Sequence, residues 1–228
     1  MKERLKTHIV GLDKRMSGGI PKGHVVLVSG MPGTMKSSVC YNILHKNARE
    51  SGLKGVYLSL EQGRDSIVEH MTGLGMPHHE VENLITIIDL GYLRTSMEAE
   101  SQQDWQSVFK LYVENLKSSM GYDILVIDSL PVWEMLADVQ KRRLELFHMF
   151  NWLRTLNITT ILIAEATSDT NVVHDEDFLA DGVMNLRTEK YGSKANLFLG
   201  VTKMREAKHD RDYFPLIVEN GIFEIVSD

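Results

Sequence analysis

VVLVSGMPGTMKSS, residues 25–38, is the stretch whose reading decides the rest of the chain. Val25 to Val28 make an apolar run rich in β-branched residues, the pattern of a strand buried in a sheet. The run enters a turn of Gly30, Met31, Pro32, Gly33, Thr34 and Met35. The turn opens into a helix-like pattern: Lys36, Ser37, Ser38 and Val39, then Ile43 and Leu44. Strand, Gly-rich turn and helix, in that order, suit a polyphosphate. Backbone N–H groups of the turn wrap the phosphates, and the helix points its positive end at them. Lys36 is placed to reach the β- and γ-phosphates, and the Ser37 hydroxyl to ligate Mg²⁺. A plain Gly/Pro turn would explain Gly30, Pro32 and Gly33 equally well, but it does not call for Lys-Ser at the helix start. Met35 departs from the G-x-x-x-x-G-K-[ST] spacing, which has glycine there. If the backbone takes a positive φ at that point, a side chain costs about 1–2 kcal/mol. The departure bears on fast hydrolysis more than on binding.

At 228 residues the chain suits one α/β domain with a full core, and its 43% hydrophobic and 25% charged composition is that of a globular protein in water. No apolar run approaches the roughly 20 residues of a membrane span. The first residues, MKERLKTHIVGLDKRM, lack the apolar centre of a secretion signal. Cys40 is the only cysteine, which excludes an internal disulfide and fits a reducing cytoplasm. It follows an apolar helix position, where buried packing is expected. The net charge of −6 and the lack of a basic stripe argue against a protein whose main task is gripping nucleic acid.

Residues 7–24, THIVGLDKRMSGGIPKGH, are punctuated by glycine and proline and read as a turn-rich surface connection. After the phosphate loop, 36–50 form an amphipathic helix ending near Gly52. GVYLSLEQ (55–62) is a β-rich run finishing on Glu61 and Gln62. A carboxylate at the carboxyl end of a strand beside the nucleotide strand stands where open α/β sheets bind ligands. There Glu61 is placed to activate an attacking water; a solvent-facing strand-end Glu is the plain alternative. Residues 64–75 read as a helix with Ile67, Val68 and Met71 on one face. LITIIDLG (84–91) is a third strand, and DWQSVFKLYVENLKSSM (104–120) a second long amphipathic helix.

YDILVIDSL (122–130) is an apolar run ending in Asp128-Ser129. A buried strand that delivers a carboxylate at its end can hold Mg²⁺ opposite the loop serine. That sign is weak alone and much stronger about 90 residues after a phosphate loop. A helix from Asp138 to Asn157 is expected to bury Val139, Leu146, Phe150 and Leu153. ITTILIAEA (158–166) is the next parallel-type strand, ending on Glu165, and Trp152 and the methionines read as core fillers. TSDTNVVHDEDFLAD (167–181) reads as an exposed acidic loop with a short helix, and His174 has no second His or Cys at metal spacing. GVMNLR, ANLFLGVTKMR, FPLIVE and GIFEIV read as antiparallel strands extending one edge of the parallel sheet. No repeat or low-complexity stretch interrupts the chain, so 1–228 is read as one domain.

Taken together, these pieces resemble the RecA-like ATPases and, within them, the KaiC-like branch, nearly end to end. GLDKRMSGGIPKGHVVLVSG is similar to that family's lead-in. SLEQ stands where the family carries a catalytic Glu pair, here Glu61 followed by Gln62, and VIDS is similar to its Walker B strand. Most specific is KMREAKHDRDYFPLIVENGIFEIV, where Lys203, Arg205, His209, Arg211, Tyr213 and Pro215 match the family's C-terminal pattern. The resemblance implies a RecA-like P-loop fold: a mostly parallel sheet, helices on both faces, antiparallel C-terminal strands at one edge. It implies ATP and Mg²⁺ as cofactors, with Ser37 and Asp128 at the metal. It also implies a ring homo-oligomer, usually a hexamer, with the nucleotide at the subunit interface. There Lys203 and Arg205 would touch the γ-phosphate of the neighbouring copy's nucleotide, with His209 and Arg211 nearer its sugar and base. On spacing alone, these cations also fit an edge strand kept soluble by charge. Aligned on Asp181, the positions of the phosphate-accepting Ser-Thr pair of the family's kinase-active repeat fall at about Asp177 and Phe178. Neither has a hydroxyl, unless the alignment slips onto Thr167, Ser168 or Thr170.

Three functions compete. The first is a slowly hydrolysing, ring-forming ATPase that signals through its nucleotide state, with Met35 and Gln62 bearing on the rate. The second is a nucleotide-gated module that holds ATP and an unidentified regulatory protein with negligible turnover. The third, a RecA-type recombination or repair ATPase, is disfavoured. Asp169, Asp175, Glu176, Asp177 and Asp181 occupy one of its DNA-contacting positions and would repel a phosphate backbone. Lys141, Arg142 and Arg143, near the other, read as a solvated helix face.

Overall fold

The structure is a computed structural model that describes residues 3–91, 104–166, 175–192 and 194–226. Its frame is a ten-stranded sheet. Five strands anticipated from apolar runs form its parallel part: β4 (Val25–Gly30), β5 (Gly55–Ser59), β6 (Ile85–Asp89), β7 (Ile124–Asp128) and β8 (Thr159–Glu165). Side chains alternate across a strand, so β4 feeds two cores. Val26 and Val28 face the core under α2 (Lys36–Ser51) and α3 (Arg64–Gly73). Val25 and Leu27 face the core under α4 (Trp105–Met120), α5 (Leu130–Leu136) and α6 (Arg142–Thr155). The result is helices on both faces of a mostly parallel sheet.

The spatial order of the parallel strands is β4-β8-β7-β5-β6. This corrects one expectation: the strand that ends near Glu61 is not beside the phosphate-loop strand, because β8 and β7 lie between them. Parallel strands share the direction of their carboxyl ends, so Gly30, Asp128 and the turn at Glu61 still come out along one edge.

Beyond β4 on its other side run β9 (Gly182–Tyr191), β10 (Lys194–Met204), β11 (Tyr213–Glu219) and β12 (Ile222–Ile225). Here too the structure corrects the reading. The GVMNLR run opens β9, which pairs antiparallel with β10 as expected but parallel with β4 on its other side; β10, β11 and β12 follow one another antiparallel. Alternation of apolar and polar residues reports the pleat and carries no information on strand direction. A short α7 (Asp175–Leu179) precedes β9.

The lead-in is not a surface connection. Short strands β1 (Arg4–Leu5), β2 (Ile9–Val10) and β3 (Ile20–Pro21) flank α1 (Leu12–Arg15). Leu5, Ile9, Leu12, Met16 and Ile20 are all buried in the core beneath α2. β2 closes the edge of the large sheet against β12, and β1 pairs with β3. The Asp13 carboxylate organises the segment by accepting from the Thr7 N–H and hydroxyl, both at 2.9 Å, and from the His8 N–H at 3.3 Å. Gly19 is required here, since a Cβ would lie 2.3 Å from the Leu5 carbonyl.

The expected helix 138–157 starts only at Arg142, while Leu146, Phe150 and Leu153 are buried as anticipated and Val139 is partly buried. Trp152 is half-buried, donating its N–H to Glu114 at 2.7 Å. Cys40 is fully buried. Among the described residues no helix is long and apolar enough to cross a membrane.

Candidate active site

The Gly-rich turn between β4 and α2 is built from backbone constraints. At Gly30 a Cβ would meet the Leu186 carbonyl at 2.4 Å and Thr34 Oγ1 at 2.6 Å, so only glycine fits. Thr34 tightens the turn by donating its hydroxyl to the Met31 carbonyl at 2.7 Å and its N–H to the same oxygen. Met31, Pro32 and Gly33 are exposed, and Gly33 has φ 81°. Met35 precedes the first residue of α2 with φ 63° and ψ 26°, the left-handed region. The costly case foreseen for this position is therefore the one realised. Met35→Gly is expected to raise the free energy of unfolding by up to about 1 kcal/mol, strain relief exceeding the extra entropy of an unfolded glycine. The denaturant midpoint measures it; a lower midpoint would mean that packing of the half-buried methionine outweighs the strain.

Lys36 donates Nζ to the carbonyls of Gly30 at 2.9 Å and Met31 at 3.0 Å. Burial pushes its amine below the usual lysine value, while Glu165, Asp128 and Glu61 act in the opposite direction. The next residue reaches across the sheet edge: Ser37 donates its hydroxyl to Asp128 Oδ2 at 2.8 Å. Tyr57, buried on β5, donates its hydroxyl to the same oxygen. Burial raises the Asp128 carboxyl above its ordinary value, the two hydroxyl donors lower it, Glu61 raises it and Lys36 lowers it. Burial and Asp128 together raise the Tyr57 phenol well above its usual value. Tyr57 escaped the sequence reading. Its one signal was a tyrosine inside an otherwise aliphatic, fully buried strand.

Glu61 lies in the turn after β5. Ser59 shapes that turn, accepting the Gln62 N–H at 2.9 Å and donating its hydroxyl to the Gln62 carbonyl at 2.6 Å. One Glu61 carboxylate oxygen accepts the hydroxyl of buried Ser129, the residue that follows Asp128 at the end of β7. A cavity of about 410 Å³ opens beside the loop, lined by Gly33, Met35, Lys36, Ser37, Tyr57 and Gln62 among others. Ser38, buried behind the loop, hydrogen-bonds His70 at 3.3 Å.

The C-terminal candidates stand apart from this cluster. Lys203 donates Nζ to the carbonyls of Asp177 at 2.8 Å and Phe178 at 3.1 Å. Arg205 donates Nη1 to Asp181 Oδ1 at 2.8 Å. The His209 ring lies 3.4 Å from the Ala207 carbonyl, and Arg211 is exposed. Among the described residues none of the four hydrogen-bonds the phosphate loop of its own chain. Arg142 is paired with Glu134 and Glu176 at 2.8 Å each, and Arg143 lies 3.6 Å from Asp175. His174, Asp169, Thr167, Ser168 and Thr170 fall outside the described residues.

With this geometry in place, comparison is informative. The sequence model of the KaiC ATPase family matches residues 5–228. The chain belongs to the KaiC ATPase family. Membership implies nucleotide binding. A UPF0273 protein of Aeropyrum pernix is 29% identical over 238 residues, covering 97% of this chain and 93% of its own. The circadian clock protein KaiC2 of Synechocystis is 27% identical over 225 residues, which are 95% of this chain but 39% of that one. The chain thus spans about two fifths of that clock relative's length. Among solved structures, a KaiC-like protein from the hyperthermophilic archaeon Pyrococcus horikoshii OT3 superposes with a TM-score of 0.84 at 25% identity, over the whole of both chains. The fold is the RecA-like one that this family shares.

The donor set fits a small hard cation. Ser37 Oγ and Asp128 Oδ2 are oxygens already 2.8 Å apart at the mouth of the loop, which suits Mg²⁺ completed by phosphate and water oxygens.

Proposed function

We propose that this KaiC-family chain is one ATPase domain, 1–228, that binds ATP with Mg²⁺ and hydrolyses it slowly. It acts as a nucleotide-dependent, ring-forming regulator in the cytoplasm, together with a regulatory protein partner. One observation carries the reading: the Ser37–Asp128 hydrogen bond, which joins two residues 91 apart at the mouth of the phosphate loop. Lys36 stands in the field of Glu165, Asp128 and Glu61, so its ammonium is held where phosphate oxygens would exchange for the Gly30 and Met31 carbonyls. Bound between Ser37 and Asp128, Mg²⁺ would supply charge neutralisation at the β- and γ-phosphates. Tyr57 keeps the Asp128 carboxylate oriented. Glu61 takes the proton of the attacking water, and the Ser129 hydroxyl fixes which of its oxygens is turned inward.

Met35 in a strained conformation and Gln62 in place of a second acid support a low rate. The separation of Lys203, Arg205, His209 and Arg211 from their own loop supports their action on another copy, in a ring of KaiC type that is a hexamer by that resemblance. Molar mass in solution with and without ATP–Mg²⁺, with phosphate release on the same sample, tests the whole. A ring that releases phosphate is expected. A ring that retains unhydrolysed ATP would favour the nucleotide-gated binding module, to which the engagement of Glu61 by Ser129 also lends itself. A monomer at all nucleotide concentrations would overturn the action between copies.

A further inference from the structure

We propose that Asp181 is the positioning residue for the Arg205 guanidinium, holding it at the angle at which it enters another copy's nucleotide site. The inference rests on the reading above that Arg205 acts between copies.

Asp181 stands between α7 and β9, with its side chain 10% exposed. Its carboxylate accepts four hydrogen bonds. Oδ1 accepts from Arg205 Nη1 at 2.8 Å and from Arg154 Nη2 at 3.0 Å; Oδ2 accepts from Arg154 Nε at 3.0 Å and from the Val25 N–H at 3.1 Å. These donors hold the carboxyl below the usual carboxylate value despite its burial. The backbone repeats the tie. Asp181 donates its N–H to the Val25 carbonyl at 2.8 Å, and Arg205 donates its own to the Asp181 carbonyl at 2.7 Å. Val25 begins the strand that leads into the Gly30–Met35 turn, so Asp181 is fastened to a strand paired on both sides within the sheet.

Arg154 alone would satisfy this carboxylate, with Nε and Nη2 spanning both oxygens in the forked geometry that suits arginine. Arg205 is therefore a second cation on a charge already matched. It is held differently: one Nη is anchored, the other makes a long 3.4 Å contact with the Phe178 carbonyl, and half the side chain is exposed. The rest of the guanidinium has no partner among the described residues. Lys203 points to the same place through the Asp177 and Phe178 carbonyls. Burial and the nearby Arg205 push its amine down, while Asp181 and Asp177 raise it. Three cations, Lys203, Arg205 and Arg154, thus gather where Asp181 and Asp177 supply the negative charge. An incoming phosphate would match that excess.

The test uses the full chain with ATP–Mg²⁺ and four variants: Arg205→Ala, Asp181→Asn, Asp181→Glu and the Arg205→Ala/Asp181→Asn pair. Phosphate release, the protein concentration of half-assembly and the thermal midpoint are read for each. Arg205→Ala is expected to lower kcat by about 10²-fold or more, as removal of such a finger does elsewhere. Asp181→Asn should lower kcat at least about tenfold with KM within about twofold, and the double variant should be no slower than Arg205→Ala, because residues that act through one another do not add. Asp181→Glu keeps the charge but displaces the guanidinium by about 1 Å, and should not restore kcat. If turnover is negligible in the parent chain, the same non-additive pattern is expected in the half-assembly concentration. Wild-type kcat and assembly in Arg205→Ala would overturn the action between copies, and this proposal with it. A slowed Arg205→Ala beside wild-type kcat in Asp181→Glu, or a double variant showing the product of both losses, would overturn the positioning role alone. Since Asp181→Glu retains the ion pairs, failure of Asp181→Asn to fold leaves the outcome readable.

Discussion

Lys36→Ala is expected to weaken ATP binding by about two orders of magnitude or more. The ammonium stands amid Glu165, Asp128 and Glu61. Removing it deletes the charge-assisted hydrogen bonds to the β- and γ-phosphates, worth roughly 1.5–3 kcal/mol each. It also leaves Glu165, Asp128 and Glu61 facing a polyanion with one cation fewer to offset them. A loss of about 3 kcal/mol corresponds to a little over 10²-fold in Kd. Titration calorimetry with ATP–Mg²⁺ reads this directly. Because Lys36 is only half-buried at the start of α2 and its protein bonds go only to the carbonyls of Gly30, at the end of β4, and of exposed Met31, folding should be little affected. An affinity within threefold of the parent chain would refute the assignment of this lysine to the phosphates.

The second large effect is on chemistry alone. Glu61→Gln should leave ATP affinity within about threefold and reduce phosphate release by about 10²–10⁴-fold, the contribution expected of a positioned base. Glutamine has the same shape, and its amide oxygen can still accept the Ser129 hydroxyl that Glu61 accepts now. What it cannot do is take a proton. Bound ATP should therefore persist on the variant, visible when the nucleotide is released by acid and chromatographed. Phosphate release at the parent rate would move the search for the base to Glu165, which ends β8 and also stands in the field of Lys36.

Much of this site was legible before any coordinates. A phosphate loop must be made from consecutive residues, since consecutive N–H groups do the wrapping, and so Gly30 to Ser38 announce it in order. Apolar runs ending in a carboxylate mark strand ends equally locally, as at Asp128 and Glu165. Met35 is an instructive case. Its departure from glycine was visible in the sequence, but whether it mattered depended on φ, which the surrounding turn sets at 63°.

Other features depended on distance along the chain. The β-rich run before Glu61 looked like a neighbour of β4 and lies beyond β8 and β7. The GVMNLR run looked antiparallel and pairs parallel with β4. The lead-in looked like a surface loop and buries Leu12, Met16 and Ile20. In each case the residues report their own burial or pleat but not their partner, which packing across the whole sheet selects.

By itself, then, the sequence displayed the Gly-rich turn between strand and helix and the identity of the carboxylates at the strand ends, because backbone geometry within a dozen residues creates each of them; the family was a resemblance carried by motifs spread along the whole chain. Only the tertiary structure decided that Tyr57 and Ser37 share one oxygen of Asp128, that Ser129 holds Glu61, and that Asp181 gathers Arg154, Arg205 and Val25. Those contacts join residues up to 156 positions apart, and at that separation no local pattern carries the information: strand order brings the side chains within hydrogen-bonding reach, and burial makes each bond count.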